Sequence, residues 1–305
     1  MFIKGLELSR RFYAEAVQPL VRKNFGDMPH TAARIGTGSE VLGFDTERSA
    51  DHEWGPRLQL FVHHNAADIS QMLSEQLPKT FLGYPTNFEG GDRIRSMAHT
   101  DGPVHHRVDV TSLGAWFDEN LGFDPRGPIT DDHWLTTSTQ TLAEVTGGAV
   151  FHDGLNELTQ VRDRLHWYPD HIWREVLARH WRRIAKKEAF VGRCGEVGDE
   201  VGSAVVAARQ VRLLMRLCLL MHRRYPPYAK WLGSAFAQLP VDIDFMSVLT
   251  AATWRERENH LAVAYTKVAE LHNELKLTEP LDPGTGPYYE RPFQVLRADR
   301  FADAL

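Results

Sequence analysis

Cysteine is scarce in this chain: Cys194 and Cys218 are the only two in 305 residues. Two thiols cannot build a disulfide framework or a cysteine-based zinc site. Surplus positive charge is missing as well, with 35 Lys and Arg against 40 Asp and Glu and a net charge of −5. Affinity for nucleic acid grows with excess Lys and Arg, so the balance argues against a nucleic-acid partner. It leaves room for a local basic pocket that takes one triphosphate. A long apolar run is also lacking. The most apolar stretch, 205–221, is interrupted by Arg209, Gln210, Arg212 and Arg216, so no membrane span is expected. The opening MFIKGLELSRRFY alternates apolar and charged residues and has no small-residue cleavage site, unlike a secretory leader. A soluble, cytoplasmic protein without a membrane partner is expected.

What is present divides in two. Leu6, Leu8, Phe12, Ala16, Val17 and Leu20 recur at helical spacing and predict an amphipathic helix over 6–24. A β-like stretch at 32–35 runs into Gly36-Thr37-Gly38-Ser39. A second, 51–63, sets Leu58, Leu60 and Val62 against Arg57, Gln59 and Phe61, with Gly55-Pro56 implying a bulge or an edge. A short helix is expected at 67–76. A third strand places His105, Arg107, Asp109 and Thr111 on one face and His106, Val108 and Val110 on the other. From Trp134 onward the pattern is helical, with helices expected at 133–147, 154–165, 169–189, 196–224, 227–238 and 242–276. Gly147-Gly148, Gly192, Gly195, Pro226-Pro227 and Pro240 punctuate them. The Pro- and Gly-rich tail from 280 is expected to be a loop. The predicted class is α+β: a domain with a small mixed sheet over 1–125, then an all-α bundle over 126–305 with a loop-rich tail.

The run GTGSEVLGFDTERSADHEW, 36–54 with its flanks, concentrates the chemistry. Gly38-Ser39 closes a strand where a helix could begin, so backbone N–H groups and a hydroxyl could face a phosphate. Asp51 and Glu53, two apart on an expected strand, would point to one face. Two carboxylates held side by side without a basic partner repel each other, and Mg²⁺ relieves that repulsion. Asp109 could join them from a neighbouring strand. Taken singly, a Gly-Ser pair is a turn, an Asp-x-Glu pair is a solvated face and Asp109 is a surface residue; the combination at this spacing is what points to a site.

Gly38-Ser39, Gly43 and Ser49-x-Asp51-x-Glu53 resemble the motif of the DNA polymerase β-type nucleotidyltransferase superfamily. The longer string GSEVLGFDTERSADHEWGPRLQLF, with DDHWL and PPYAKW downstream, is similar to the uncharacterised group DUF4037 over roughly residues 5–240, and that group resembles the aminoglycoside-type nucleotidyltransferases. The resemblance implies a nucleotidyltransferase domain followed by a helical bundle, and transfer of a nucleoside monophosphate from an NTP, expected to be ATP, to a small-molecule hydroxyl with release of pyrophosphate. Asp51, Glu53 and Asp109 would be catalytic and would hold Mg²⁺, with Mn²⁺ as a substitute. Gly38, Ser39, Arg48 and Ser49 would contact the nucleotide, joined by Arg193, Tyr228 and Lys230 from the helical half. Asp199 would either contact the acceptor or cap a helix. The sequence departs from the motif in having Glu at 53 instead of the commoner Asp, followed by Trp54-Gly55-Pro56.

Two other functions are compatible with these residues: a nucleotide-binding module that has lost its chemistry and regulates, or a transferase whose acceptor is a protein or tRNA. Homo-oligomerisation is left open. The pairs His63-His64 and His105-His106 face opposite ways on a strand and cannot chelate one metal as pairs. The Arg-rich stretch 180–187 reads as a solvated helix face.

Overall fold

The structure, a computed structural model, describes residues 2–91 and 94–305. It is a mixed α/β architecture whose contacts divide into two compact units, Met1–His166 and Trp167–Leu305. The division falls well beyond the expected boundary at 125/126. The reason is a strand that helical patterning did not reveal: Ala149–Asp153 pairs antiparallel with Thr31–Arg34 and ties 126–166 to the sheet.

In the first unit, four strands lie in the order Arg107–Thr111, Arg57–Phe61, Thr31–Arg34, Ala149–Asp153. Arg57–Phe61 runs antiparallel to Thr31–Arg34, with Ala32 opposite Leu60, and parallel to Arg107–Thr111, with Gln59 opposite Asp109. Alternation sorts their side chains as expected. Leu58, Leu60 and Val108 enter a core shared with Leu8, Phe12, Val17, Val21, Ile69 and Leu73. Arg57, Gln59, Arg107 and Asp109 go to the opposite face.

The N-terminal helix forms as Gly5–Phe12 and Gln18–Phe25 with one π-helical segment, Tyr13–Val17, between them. That extra residue per turn places Tyr13 against the ring of His30, whose Nε2 lies 2.8 Å from the Tyr13 hydroxyl. The short helix arises as Ala66–Gln76.

The second expected strand is shorter than its pattern. Residues Glu47–Asp51 form a 3₁₀ turn, and the strand begins only at Arg57. The turn is closed by Thr46 and Ser49: the Ser49 amide donates to the Thr46 carbonyl, and the Thr46 amide donates to Ser49 Oγ (2.9 Å). Local side-chain bonding of this kind competes with extended backbone. Gly55-Pro56 lies before the strand, not inside it.

The second unit packs Asp170–Ala185, Glu200–Met221 and Trp254–Glu274 around Leu177, Trp181, Leu214, Leu217, Leu261 and Val268, all at most 1% exposed. Gly192 and Gly195, expected to interrupt helices, instead sit inside Phe190–Glu196. A Cβ on Gly195 would lie 1.9 Å from Trp254 Cγ, and one on Gly192 would lie 2.4 Å from Phe293 Cδ1. The expected helix 242–276 is two, Phe245–Thr250 and Trp254–Glu274, because Thr253 and Glu256 form a capping box that starts the second afresh. The tail is not a loop throughout: Gly286–Tyr288 and Arg291–Val295 pair as a hairpin, and Asp299–Ala304 is helical. Phe293, Val295, Leu296 and Phe301 bury there, which repays the ordering of that segment.

Candidate functional site

The loop leaving Thr31–Arg34 turns sharply at Gly36, whose φ of 80° suits glycine, and its amide donates to the Glu144 carbonyl. Residues 39–43 then form a tight turn, with the Phe44 amide donating to the Ser39 carbonyl and the Gly43 amide to the Glu40 carbonyl. No helix begins at Gly38-Ser39, so a helix N-terminus is not what this loop presents. Gly38 is required for a different reason. A Cβ there would lie 2.6 Å from both Arg34 Nη2 and Glu40 Oε2, and 2.8 Å from Arg57 Nη2.

Those three side chains form a buried ionic cluster. Glu40 Oε1 accepts from Arg34 Nε (2.9 Å), Arg57 Nε (3.0 Å) and Arg57 Nη2 (2.6 Å), and all three residues are at most 6% exposed. Arg34 and Arg57 also both donate to the Thr37 carbonyl, which pins the glycine loop to the sheet. Burial alone would raise the Glu40 carboxyl, but the two guanidiniums outweigh it and hold it below its usual range. Burial, reinforced by Arg34, pushes Arg57 down to about 10.

Arg34 and Arg57 of this cluster line a cavity of about 410 Å³. Arg34, Arg57, Arg95 and Arg107 supply guanidiniums, Gly36 and Thr37 supply the loop, and Trp116, Glu119 and Asn120 come from the helix Leu113–Leu121. The volume falls within the ~300–1,000 Å³ common for small-molecule sites. Gln59 lies opposite Asp109 on the neighbouring strand, its Oε1 accepting from the Ile35 amide (3.1 Å). Asp109 remains open to solvent through the cavity mouth, while the walls crowd its carboxyl closely enough to raise it, with Glu119 adding to the effect and Arg107 opposing it. The cavity therefore carries both signs of charge, four arginines together with Asp109 and Glu119. His106 also lines it; its Nε2 lies 2.9 Å from the Ser70 carbonyl, and burial lowers its affinity for a proton.

Glu53 lies at the edge of the arginine wall in a left-handed backbone conformation, φ 45°, which costs a non-glycine residue roughly 1–3 kcal/mol. Four contacts hold it there. Its amide donates to the Arg95 carbonyl (2.8 Å), its Oε1 accepts from the Arg95 amide (3.0 Å), and its Oε2 binds Arg57 Nη1 (3.3 Å) and Arg107 Nη2.

The pairing of Asp51 with Glu53 expected from a shared strand face does not form. Asp51 ends the 3₁₀ turn, is exposed, and accepts from its neighbour's amide while pairing with His52 Nδ1 (3.0 Å). Glu53 is bound by two arginines, so the repulsion that would recruit a cation is already relieved. Among the described residues no group of three or more His, Cys, Asp or Glu is placed to hold a metal ion. The donor set Asp51, Glu53 and Asp109 does not fit Mg²⁺ in this arrangement.

Of the remaining expected contacts, Arg48 is exposed on the turn and Ser49 uses its hydroxyl in the capping box. Arg193, Tyr228, Lys230 and Asp199 belong to the second unit. Arg193 lies over the Phe190 ring and Lys230 over the Trp231 ring (4.8 Å). Asp199 caps Glu200–Met221, accepting from the Gly202 amide at 2.7 Å. The residues that sequence reasoning missed are Arg34, Glu40, Arg57, Arg95, Arg107 and Glu119. Alternation did put Arg107 on the face of Asp109 and Arg57 on the face opposite Leu58, which was a usable signal. Nothing local marked Arg34 or Glu40.

The family described as Domain of unknown function (DUF4037) matches residues 134–232, less than half of the chain and outside the 38–53 string. Comparison with curated proteins and with solved structures gave no match. No helix among the described residues is long and apolar enough to cross a membrane.

Proposed function

We propose that the arginine-lined cavity binds the phosphates of a nucleoside triphosphate, with ATP the first candidate. The observation that carries the reading is the convergence of Arg34, Arg57, Arg95 and Arg107 on one cavity beneath a glycine loop. Guanidiniums present fixed forks of donors that match phosphate oxygens, and their hydrogen bonds to anions are among the stronger ones. The chemistry attached to this site is nucleotidyl transfer to a small-molecule hydroxyl. It is supported by the likeness of the 38–53 string to the polymerase β-type motif and by Asp109, whose raised carboxyl is suited to taking a proton from an acceptor. A polymerase β-like catalytic fold belongs to the same proposal.

A second reading is favoured by one observation: Glu53 is engaged by Arg57 and Arg107 instead of standing beside Asp51. It makes the chain a nucleotide-binding module without transfer. The experiment that separates them begins with calorimetry of ATP against the full chain and Arg107→Met, where the variant is expected to bind at least about tenfold more weakly, the loss of one charge-assisted contact. Equal affinities would remove the cavity as the nucleotide site. α-Labelled ATP is then offered with small hydroxyl compounds, proteins and tRNA. Label on a small compound supports transfer as proposed, label on protein or tRNA moves the acceptor class, and binding with no label anywhere favours the module.

A further inference from the structure

Glu53 holds the guanidiniums of two of the four arginines that line the cavity, and it does so with one carboxylate oxygen. A carboxylate bridging two arginines occupies the electrostatic place that a phosphate oxygen would take. Glu40 likewise binds two guanidiniums, but it is 2% exposed and walled in by Gly38, whereas the Glu53 side chain is 28% exposed and lies on a loop. The two acidic residues therefore differ in what they can do: Glu40 is fixed, and Glu53 can yield.

We propose that the cavity takes a polyphosphate through its arginines alone, without a divalent ion, and in competition with Glu53. The inference rests on the nucleotide reading of the cavity and specifies how its phosphates are held. Four guanidiniums against Glu40 and Glu53 leave two positive charges among the arginines and three once Glu53 is released; Asp109 and Glu119 in the same lining bring those totals to zero and one. The guanidinium charge that Glu53 gives up is then free for phosphate oxygens, the task a divalent ion performs where carboxylates line the phosphate pocket. Here carboxylates are not arranged for the ion, and arginines are arranged for the anion. On this reading Glu53 is a built-in competitor. It pairs Arg107 and adds a second carboxylate to Arg57, which Glu40 already holds, and it sets a threshold that a ligand with only one weak anionic group does not cross.

The sign of one substitution separates this from a metal-ligand role. Glu53→Gln keeps the Oε1 acceptor for the Arg95 amide and removes only the charge. As a competitor, Glu53 should yield a variant that binds inorganic pyrophosphate and ATP about threefold to tenfold more tightly in EDTA. As a metal ligand, it should yield a variant that binds more weakly and only in Mg²⁺. The measurement is calorimetry on the full chain with pyrophosphate and with ATP, each in EDTA and in Mg²⁺, for wild type, Glu53→Gln and Arg107→Met. Wild-type affinity in EDTA within about threefold of that in Mg²⁺ is expected, since guanidiniums carry the contact. Binding confined to Mg²⁺ buffer, or weakened binding by a Glu53→Gln variant that melts like wild type, overturns this inference and leaves the nucleotide reading standing. Absence of ATP binding in both buffers removes the nucleotide reading and this inference together. The wild-type comparison of the two buffers needs no variant, so a poorly folded Glu53→Gln does not blunt the test.

Discussion

Glu40→Ala should be the most damaging single truncation around the cavity. Glu40 Oε1 receives bonds of 2.6–3.0 Å from Arg34 and Arg57, and neither arginine has more than 6% of its surface in water. Removing the carboxylate leaves Arg34 with the Ile35 and Thr37 carbonyls and Arg57 with Glu53 at 3.3 Å, two buried like charges that have lost the carboxylate between them. Losing one partner of a buried ion pair costs about 3–5 kcal/mol. The penalty is local to the first unit, so the assay should be local too: urea-dependent hydrogen exchange on peptides covering 31–61. Protection of the strands Thr31–Arg34 and Arg57–Phe61 is expected to drop by that amount, while peptides of Glu200–Met221 stay unchanged. Glu40→Gln keeps an acceptor at Oε1 and loses only the charge, so a smaller loss of about 1.5–3 kcal/mol is expected, as for a charged hydrogen bond. A change below about 1 kcal/mol for Glu40→Ala would show that the cluster does not hold the loop, and that the cavity wall owes its shape to something else.

Two further predictions concern the second unit. Asp199→Ala removes the cap of Glu200–Met221 and should cost about 1 kcal/mol in urea unfolding while leaving ATP affinity unchanged; lost affinity at full stability would return Asp199 to the acceptor role. His180 and His272 are both lowered from 6.5 to about 4, chiefly by burial. The folded chain therefore takes up fewer protons than the unfolded chain between these values. Stability contributed by the neutral rings is complete above pH 6.5 and drains as pH falls toward 4, by on the order of 1–2 kcal/mol per histidine at pH 5. Urea midpoints at pH 7 and pH 5 that coincide would refute this.

Much of the scaffold is legible in local sequence alone. The helix at 5–25, the alternation in 57–61 and 107–111, and the cap at Asp199 depend on neighbours a few residues away, and local periodicity reports such neighbours directly. The strand Ala149–Asp153 is not legible, because five residues between a glycine pair and a helix carry too little pattern. Its pairing partner is more than a hundred residues earlier. The C-terminal hairpin and helix are hidden for the same reason: their apolar residues are few, and only the groove that receives Phe293 and Phe301 gives them a place.

At the cavity the division is sharper. Sequence by itself determined that a glycine loop, two polar strand faces, one with Arg57 and Gln59 and one with Arg107 and Asp109, and an acidic pair at 51 and 53 occur in this chain. Tertiary structure decided which charges meet. Asp51 and Glu53 are two residues apart yet separate, because the 3₁₀ turn ends between them and Glu53 turns left-handed toward Arg107, 54 residues away. Arg34, Glu40 and Arg57 meet because an antiparallel strand pair and a loop bring them together, and the cost of burying charge allows them there only as a cluster. An ion pair between distant residues leaves no periodic trace in a sequence, since its energy depends on separation in space and not along the chain.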